Sequence, residues 1–250
     1  MLILRKRTLL IVLSQLLLTV PLLISAEPAG FSDVFHEPLD AWINGEIDTE
    51  ALFDEMNDLE ATLERDDESW ENLYWRSRIT LVRGRIHYEK EDEQASLIEL
   101  KRTQELAQES IDVQDNSDSW RIMSEASSLI MLQRGIGYTI LNFSKGQHQY
   151  RRSLELDPDN ARASLLHAQF LCNAPGLFGG NPEEGIEILR DLSIRTGLIN
   201  EDRFAILLAL SEALQENQQI DEAIVACREA IAVFPGNQDG QSLLVDLLSH

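Results

Sequence analysis

Tyr150-Arg151-Arg152-Ser153-Leu154-Glu155-Leu156-Asp157-Pro158-Asp159-Asn160 decides how this chain is read. Up to Leu156 the residues are good helix formers. Asp157-Pro158-Asp159-Asn160 cannot continue a helix, because Pro158 lacks an amide hydrogen and Asp and Asn favour turns and caps. Ala161 then opens a new helix. The same punctuation recurs at Pro235, where Ala223, Cys227 and Ala230 fall on one helix face at spacings of four and three.

This stretch resembles the end of a tetratricopeptide (TPR) repeat, and Gly146, Tyr150 and Ser153 match the second helix of such a unit. Gly135 or Gly137 is the expected small contact of its first helix. Ser211 stands where the family usually has Gly, within the first helix Ala209–Leu214 of the last unit. Pro158 and Pro235 are 77 residues apart, against about 68 for two ideal repeats. Most of the nine extra residues are placed in Asn173-Ala174-Pro175-Gly176-Leu177-Phe178-Gly179-Gly180-Asn181, before Pro182 starts the next helix.

Upstream the helical period continues without those signature residues. Asp48-Thr49 is the first start signal, ahead of a stripe of Ala51, Leu52, Met56, Leu59 and Leu63. A second helix over about 68–89 turns Leu73, Ile79, Val82 and Ile86 inward, and a third covers 93–113. The fourth starts near Ser117, carries Met123, Ala126, Ile130 and Ile136, and ends near Asn142. No segment alternates with period two. The fold class expected is all-α: antiparallel helix pairs in the right-handed stack that the resemblance implies, a TPR-like solenoid with a divergent helical N-terminal part. The divisions are 1–26 as signal peptide, 27–116 as a divergent acidic helical region, and 117–250 as TPR-like repeats.

The signal peptide is read from basic Arg5-Lys6-Arg7, apolar Thr8 to Ile24, and Ser25-Ala26 before Glu27. Export, to a bacterial periplasm, is therefore expected, with no stable membrane insertion after cleavage. No cysteine follows the cut to take a lipid anchor. The two cysteines, Cys172 and Cys227, sit at apolar helical positions and are expected as free thiols.

The 250 residues carry 21 Lys and Arg against 43 Asp and Glu, a net charge of −22, and no nucleic-acid-binding footprint is compatible with that balance. The acids concentrate before Arg121 and crowd helix junctions such as Glu64-Arg65-Asp66-Asp67-Glu68, where they complement helix dipoles. No calcium-loop spacing of oxygen ligands accompanies them. The five histidines show no zinc-ligand spacing, and neither a Gly-x-Ser-x-Gly elbow nor a phosphate-binding Gly-Lys-Ser/Thr loop is present. His167 and Cys172 share a helix, but interior positions suit packing rather than nucleophilic chemistry. No enzyme activity, cofactor or metal is expected.

What the repeat resemblance implies is a concave face, lined by first helices, that holds a peptide or another protein. On matching positions its residues are Arg162, Leu165, Gln169 and Asn173, then Ala205, Leu208, Glu212 and Glu216. The expected function is an exported interaction scaffold for a protein or peptide partner; a homo-oligomer remains open. The inserted loop adds a narrower likeness: Ala174-Pro175-x-x-Phe178-Gly179-Gly180-Asn181 ahead of Pro182-Glu183-Glu184 looks like the T component of TRAP-type transporters. That implies the alternative of an accessory to periplasmic transport of a small ligand. This chain departs from typical members in lacking the anchoring cysteine. Leu177 and Phe178 either cover the protein's own helices or face a partner.

Overall fold

A computed structural model describes residues 30–63 and 68–249. The expected signal segment and the acidic run 64–67 lie outside them. Residues Asp33–His250 form one compact unit. The helices are α1 (Phe31–Ile43), α2 (Thr49–Thr62), α3 (Trp70–Glu89), α4 (Glu93–Val113), α5 (Ser117–Arg134), α6 (Ile136–Leu156), α7 (Ala161–Asn173), α8 (Pro182–Ser193), α9 (Asn200–Glu216), α10 (Ile220–Val233) and α11 (Gln238–Leu248). No strand occurs among the described residues.

The cap expected at Asp48 is present, and the helices expected to start at Ala161 and Pro182 are capped as well. Asp48 accepts from the amides of Glu50 and Ala51, Asn160 caps α7 through the Ala163 amide, and Asn181 caps α8 with Pro182 at its first turn. From α3 onward the helices pack as consecutive pairs, α3/α4, α5/α6, α7/α8 and α9/α10, and each pair packs on the next. Neighbouring first helices (α3, α5, α7, α9) also touch along the stack, with no comparable packing between second helices. The more closely spaced layer of a curved stack is its concave one, so the first helices form the inner layer.

Small residues set the spacing within pairs. Ser96 donates to the Gly84 carbonyl at 2.7 Å, and Ser211 donates to that of Ala223 at 2.9 Å, each across 12 residues. Ala223, Cys227 and Ala230 are fully buried. In α7/α8 the corresponding contact joins Ala168 to Gly185, where an added Cβ would stand 2.9 Å from the Ala168 oxygen. That separation is 17 residues, so the 174–181 connection takes five of the nine extra residues. The rest fall after α8.

Four local expectations are corrected. A helix at 31–43 precedes the expected first start. It contains Pro38, but it buries Phe35, Leu39 and Ile43 at intervals of four. The helix from Ser117 ends at Arg134 rather than near Asn142, because Gly135 adopts φ 77° and reverses the chain. Gly135 and Gly137 contact nothing that a Cβ would meet, so neither is the small contact expected of them; Gly146 instead lies against the Met131 methyl. Ile136 (78% exposed) and Ala51 face solvent, not the core. Both cysteines are free, with Cys227 buried and donating to the Gly240 carbonyl.

Candidate functional site

The inner layer carries a chain of buried charges that begins with α1. Helix α1 crosses from α3 to α9. Phe35 packs against Trp75 under the Arg78 guanidinium, 4.6 Å from the Phe35 ring. Asp40 accepts from Asn200, and the following turn is held by the Gly236 amide donating to Asn44 and by the Asn237 amide group donating to the Ile43 carbonyl. His36 lies between Arg78 and Glu201 at 3.4 and 3.7 Å.

Glu201, 5% exposed at the start of α9, is the hub. It accepts from Arg78 at 2.9 Å and from Arg162 at 3.0 Å, with Arg85 at 3.8 Å. Arg162 also reaches Asp202 and Glu125, and Arg121 joins Glu125 at 2.7 Å and the Tyr74 hydroxyl at 3.0 Å. Each of α3, α5, α7 and α9 thus places charge at the same inner layer. Desolvation would raise the Glu201 pKa, but Arg162 and Arg78 outweigh it and hold the carboxyl at about 2. Burial likewise opposes the charge on Arg162, and Glu125 and Glu201 outweigh it, pushing its pKa up. At His36 the balance falls the other way: burial, reinforced by Arg78, outweighs the pull of Glu201 and lowers its pKa to about 4, so it is neutral at pH 7.

Beside this network opens a cavity of about 740 Å³, walled by the α1 turn, α3, α7, α9 and the α10–α11 connection. Arg162, Gln169, Ala205, Leu208 and Glu212 line it, five of the eight positions assigned to the concave face. A second cavity of about 390 Å³ shares Gln169 and Glu212 and adds Asn173 and Glu216. Leu165 is not there. It is 3% exposed and packs with Ile186 and Leu189 in the core, since its position turns it from the inner surface toward α8. Leu177 and Phe178 line neither cavity: Leu177 is 97% exposed, and Phe178 rests one edge on Phe143, ring centres 5.7 Å apart.

Cavity charge is lopsided. Burial, with Glu216 and Asp239 nearby, raises the Glu212 pKa, and burial also raises that of Glu89 against the pull of Arg85. Neither Glu212 nor Asp239 has an ion-pair partner among the described residues. The pair raised in the sequence reading, His167 and Cys172, is occupied by packing. His167 stacks on Tyr150 at 5.2 Å, and burial raises the Cys172 thiol pKa, opposite to what a nucleophile needs. The residues missed by sequence reasoning are His36, Arg78, Arg121, Glu125 and Glu201. A polar residue on an inner helix face looks like a solvated one until its partner, up to 165 positions away, is known.

No family model and no curated protein matches the sequence. Among solved structures, the chain is similar to TTC0263, a thermophilic TPR protein of Thermus thermophilus, with TM-score 0.60 at 15% identity over 88% of this chain and 100% of that one. YrrB, a TPR protein with an unusual peptide-binding site, aligns over 88% and 98% at 12% identity with TM-score 0.41. With its paired helices and small-residue contacts, and with an inner layer formed by first helices, the protein has the tetratricopeptide fold.

Proposed function

We propose that the protein is a non-enzymatic, exported interaction scaffold that holds a segment of a protein partner in the cavity of its inner layer. The observation that carries this reading is the cavity itself. Leu208, Ala205 and Gln169 offer apolar and amide contacts to a peptide, and Glu212 and Asp239 stand at its wall without an ion-pair partner among the described residues. A segment with a basic side chain beside a small apolar one complements that lining. Export is supported by the three-part N-terminus of the sequence. The alternative of small-ligand handling calls for an apolar channel under the 174–181 loop, and neither cavity is lined by Leu177 or Phe178.

Photo-crosslinkers at Leu208 and, as an outer-surface control, at Val225 test the proposal in the envelope fraction. The expected result is a polypeptide adduct specific to Leu208. Binding of the captured segment weakens at least about tenfold in Glu212→Gln. Equal labelling at both positions, or binding indifferent to Glu212→Gln, overturns it.

A further inference from the structure

Helix α1 lies where a groove ligand lies. It belongs to none of the helix pairs and packs closely along no other helix. Instead it rests on the inner layer, with Phe35 against Trp75 of α3 and Asp40 at Asn200 of α9. Its buried side chains Phe35, Leu39 and Ile43 recur every four residues, while Asp33, Val34 and Glu37 face solvent. That is the pattern by which an amphipathic helix of one protein enters the groove of another.

Helix α1 differs from a fixed wall of the fold in three ways. The charge network beneath it is complete without it: Glu201, Glu125 and Asp202 each take an arginine from α3, α5 or α7, and the group that α1 sets between them is the neutral His36. The fit is also imperfect. His36 Nδ1 and Asp40 Oδ1 are buried with no hydrogen-bond partner among the described residues, a cost that hydration recovers on release. Finally, the end of α1 and the turn after it are held by a latch at the rim. Asn200 donates to Asp40 at 3.1 Å, the Asn237 side chain to the Ile43 carbonyl at 2.9 Å, and the Gly236 amide to Asn44 at 2.8 Å. Trp42, Ile43 and Gly45 beside this latch wall the cavity of about 740 Å³, so withdrawal of α1 joins the cavity to the groove floor around Trp75 and Arg78.

We propose, building on the scaffold reading above, that α1 is a built-in occupant of the inner groove, displaced by a partner's amphipathic helix that carries apolar side chains at the same four-residue intervals and reaches the cavity. A tethered helix competes at an effective concentration on the order of millimolar. The partner's apparent affinity is lowered by the fraction of molecules in which α1 is docked, so weakening the latch raises partner binding. Losing a true wall of the site would lower it.

The test uses the full chain, a labelled peptide of residues 31–47 as probe, and the photo-crosslink at Leu208. Wild type is compared with a latch variant (Asn44→Ala, Asn200→Ala), whose melting curve should stay close to wild type because both hydrogen bonds are exposed. Phe35→Ala, which removes an anchor of α1 itself, is the second release variant. The expected result is peptide binding at least about tenfold tighter in both variants than in wild type, and lost when the peptide carries Phe35→Ala and Leu39→Ala. A higher yield of polypeptide adduct at Leu208, suppressed by excess peptide, accompanies it. Peptide binding that is equal in all three proteins, or absent from all, overturns the proposal. So does a Leu208 adduct whose yield is unchanged or lower in the latch variant, an outcome that makes α1 a fixed wall and leaves the scaffold reading standing. Absence of a Leu208 adduct from every protein overturns both.

Discussion

Replacing Glu201 by Gln removes the charge on which Arg78, Arg162, Arg85 and His36 converge while keeping the side-chain volume. Two independent routes give the cost. Holding the carboxyl at about 2 rather than its ordinary 4.5 corresponds to about 3 kcal/mol at 1.36 kcal/mol per unit. Removing one member of a buried ion pair, so that its partners stay buried and unpaired, costs about 3–5 kcal/mol in other proteins. Little discount for solvent screening applies, because Glu201 is 5% exposed. For a unit of this size the loss lowers the melting temperature by roughly 6–12 °C. Glu222→Gln supplies the control: its ion pair with Arg190 is exposed on both sides, and the change there should stay below about 1 kcal/mol. The assay is a set of thermal melts at pH 7, with the His36 titration followed by NMR. Glu201 raises the His36 pKa, so the variant should titrate below wild type. A Glu201→Gln protein melting within about 2 °C of wild type would refute the claim that this carboxylate organises the inner layer.

His36 makes stability depend on pH: its folded pKa of about 4 lies below the ordinary 6.5, so its contribution is complete above 6.5 and is lost as the pH falls toward 4, up to about 3 kcal/mol. Urea melts of His36→Gln should show a shallower decline over that window than wild type, and parallel declines would count against a neutral buried imidazole. Gly185→Ala should destabilise by about 1–3 kcal/mol, because its Cβ would meet Cys172 Sγ at 2.5 Å and the Ala168 oxygen at 2.9 Å; a melt equal to wild type contradicts the α7/α8 contact. Leu177→Ala with Phe178→Ala should leave a cooperatively melting protein less than about 1 kcal/mol weaker, since Leu177 is 97% and Phe178 48% exposed; a loss typical of a buried Phe, about 3–5 kcal/mol, would show that the loop plugs the fold.

Local periodicity and punctuation were enough to determine that the chain is helical and how most of its helices are bounded. The caps at Asp48, Asn160 and Asn181 and the small face of Ala223, Cys227 and Ala230 are properties of residues within a few positions of one another. Counting along the chain does not supply the inner surface: the positions expected there come from the repeat resemblance, and of them Gln169, Leu208 and Glu212 line the cavity while Leu165 packs in the core. What the counting could not reach depends on distance in space. Helix α1 contains a proline, and it holds its place through contacts with α3 and α9. The reversal at Gly135 looked like a tolerated glycine inside a helix, because apolar period runs through Ile136 and beyond. Arg78 and Arg121 carry no local sign of a buried role, and Arg162 is placed on the concave face by the resemblance alone. Only the stacking of four first helices brings them to Glu125, Glu201 and Asp202, where low dielectric turns ordinary surface residue types into a buried network.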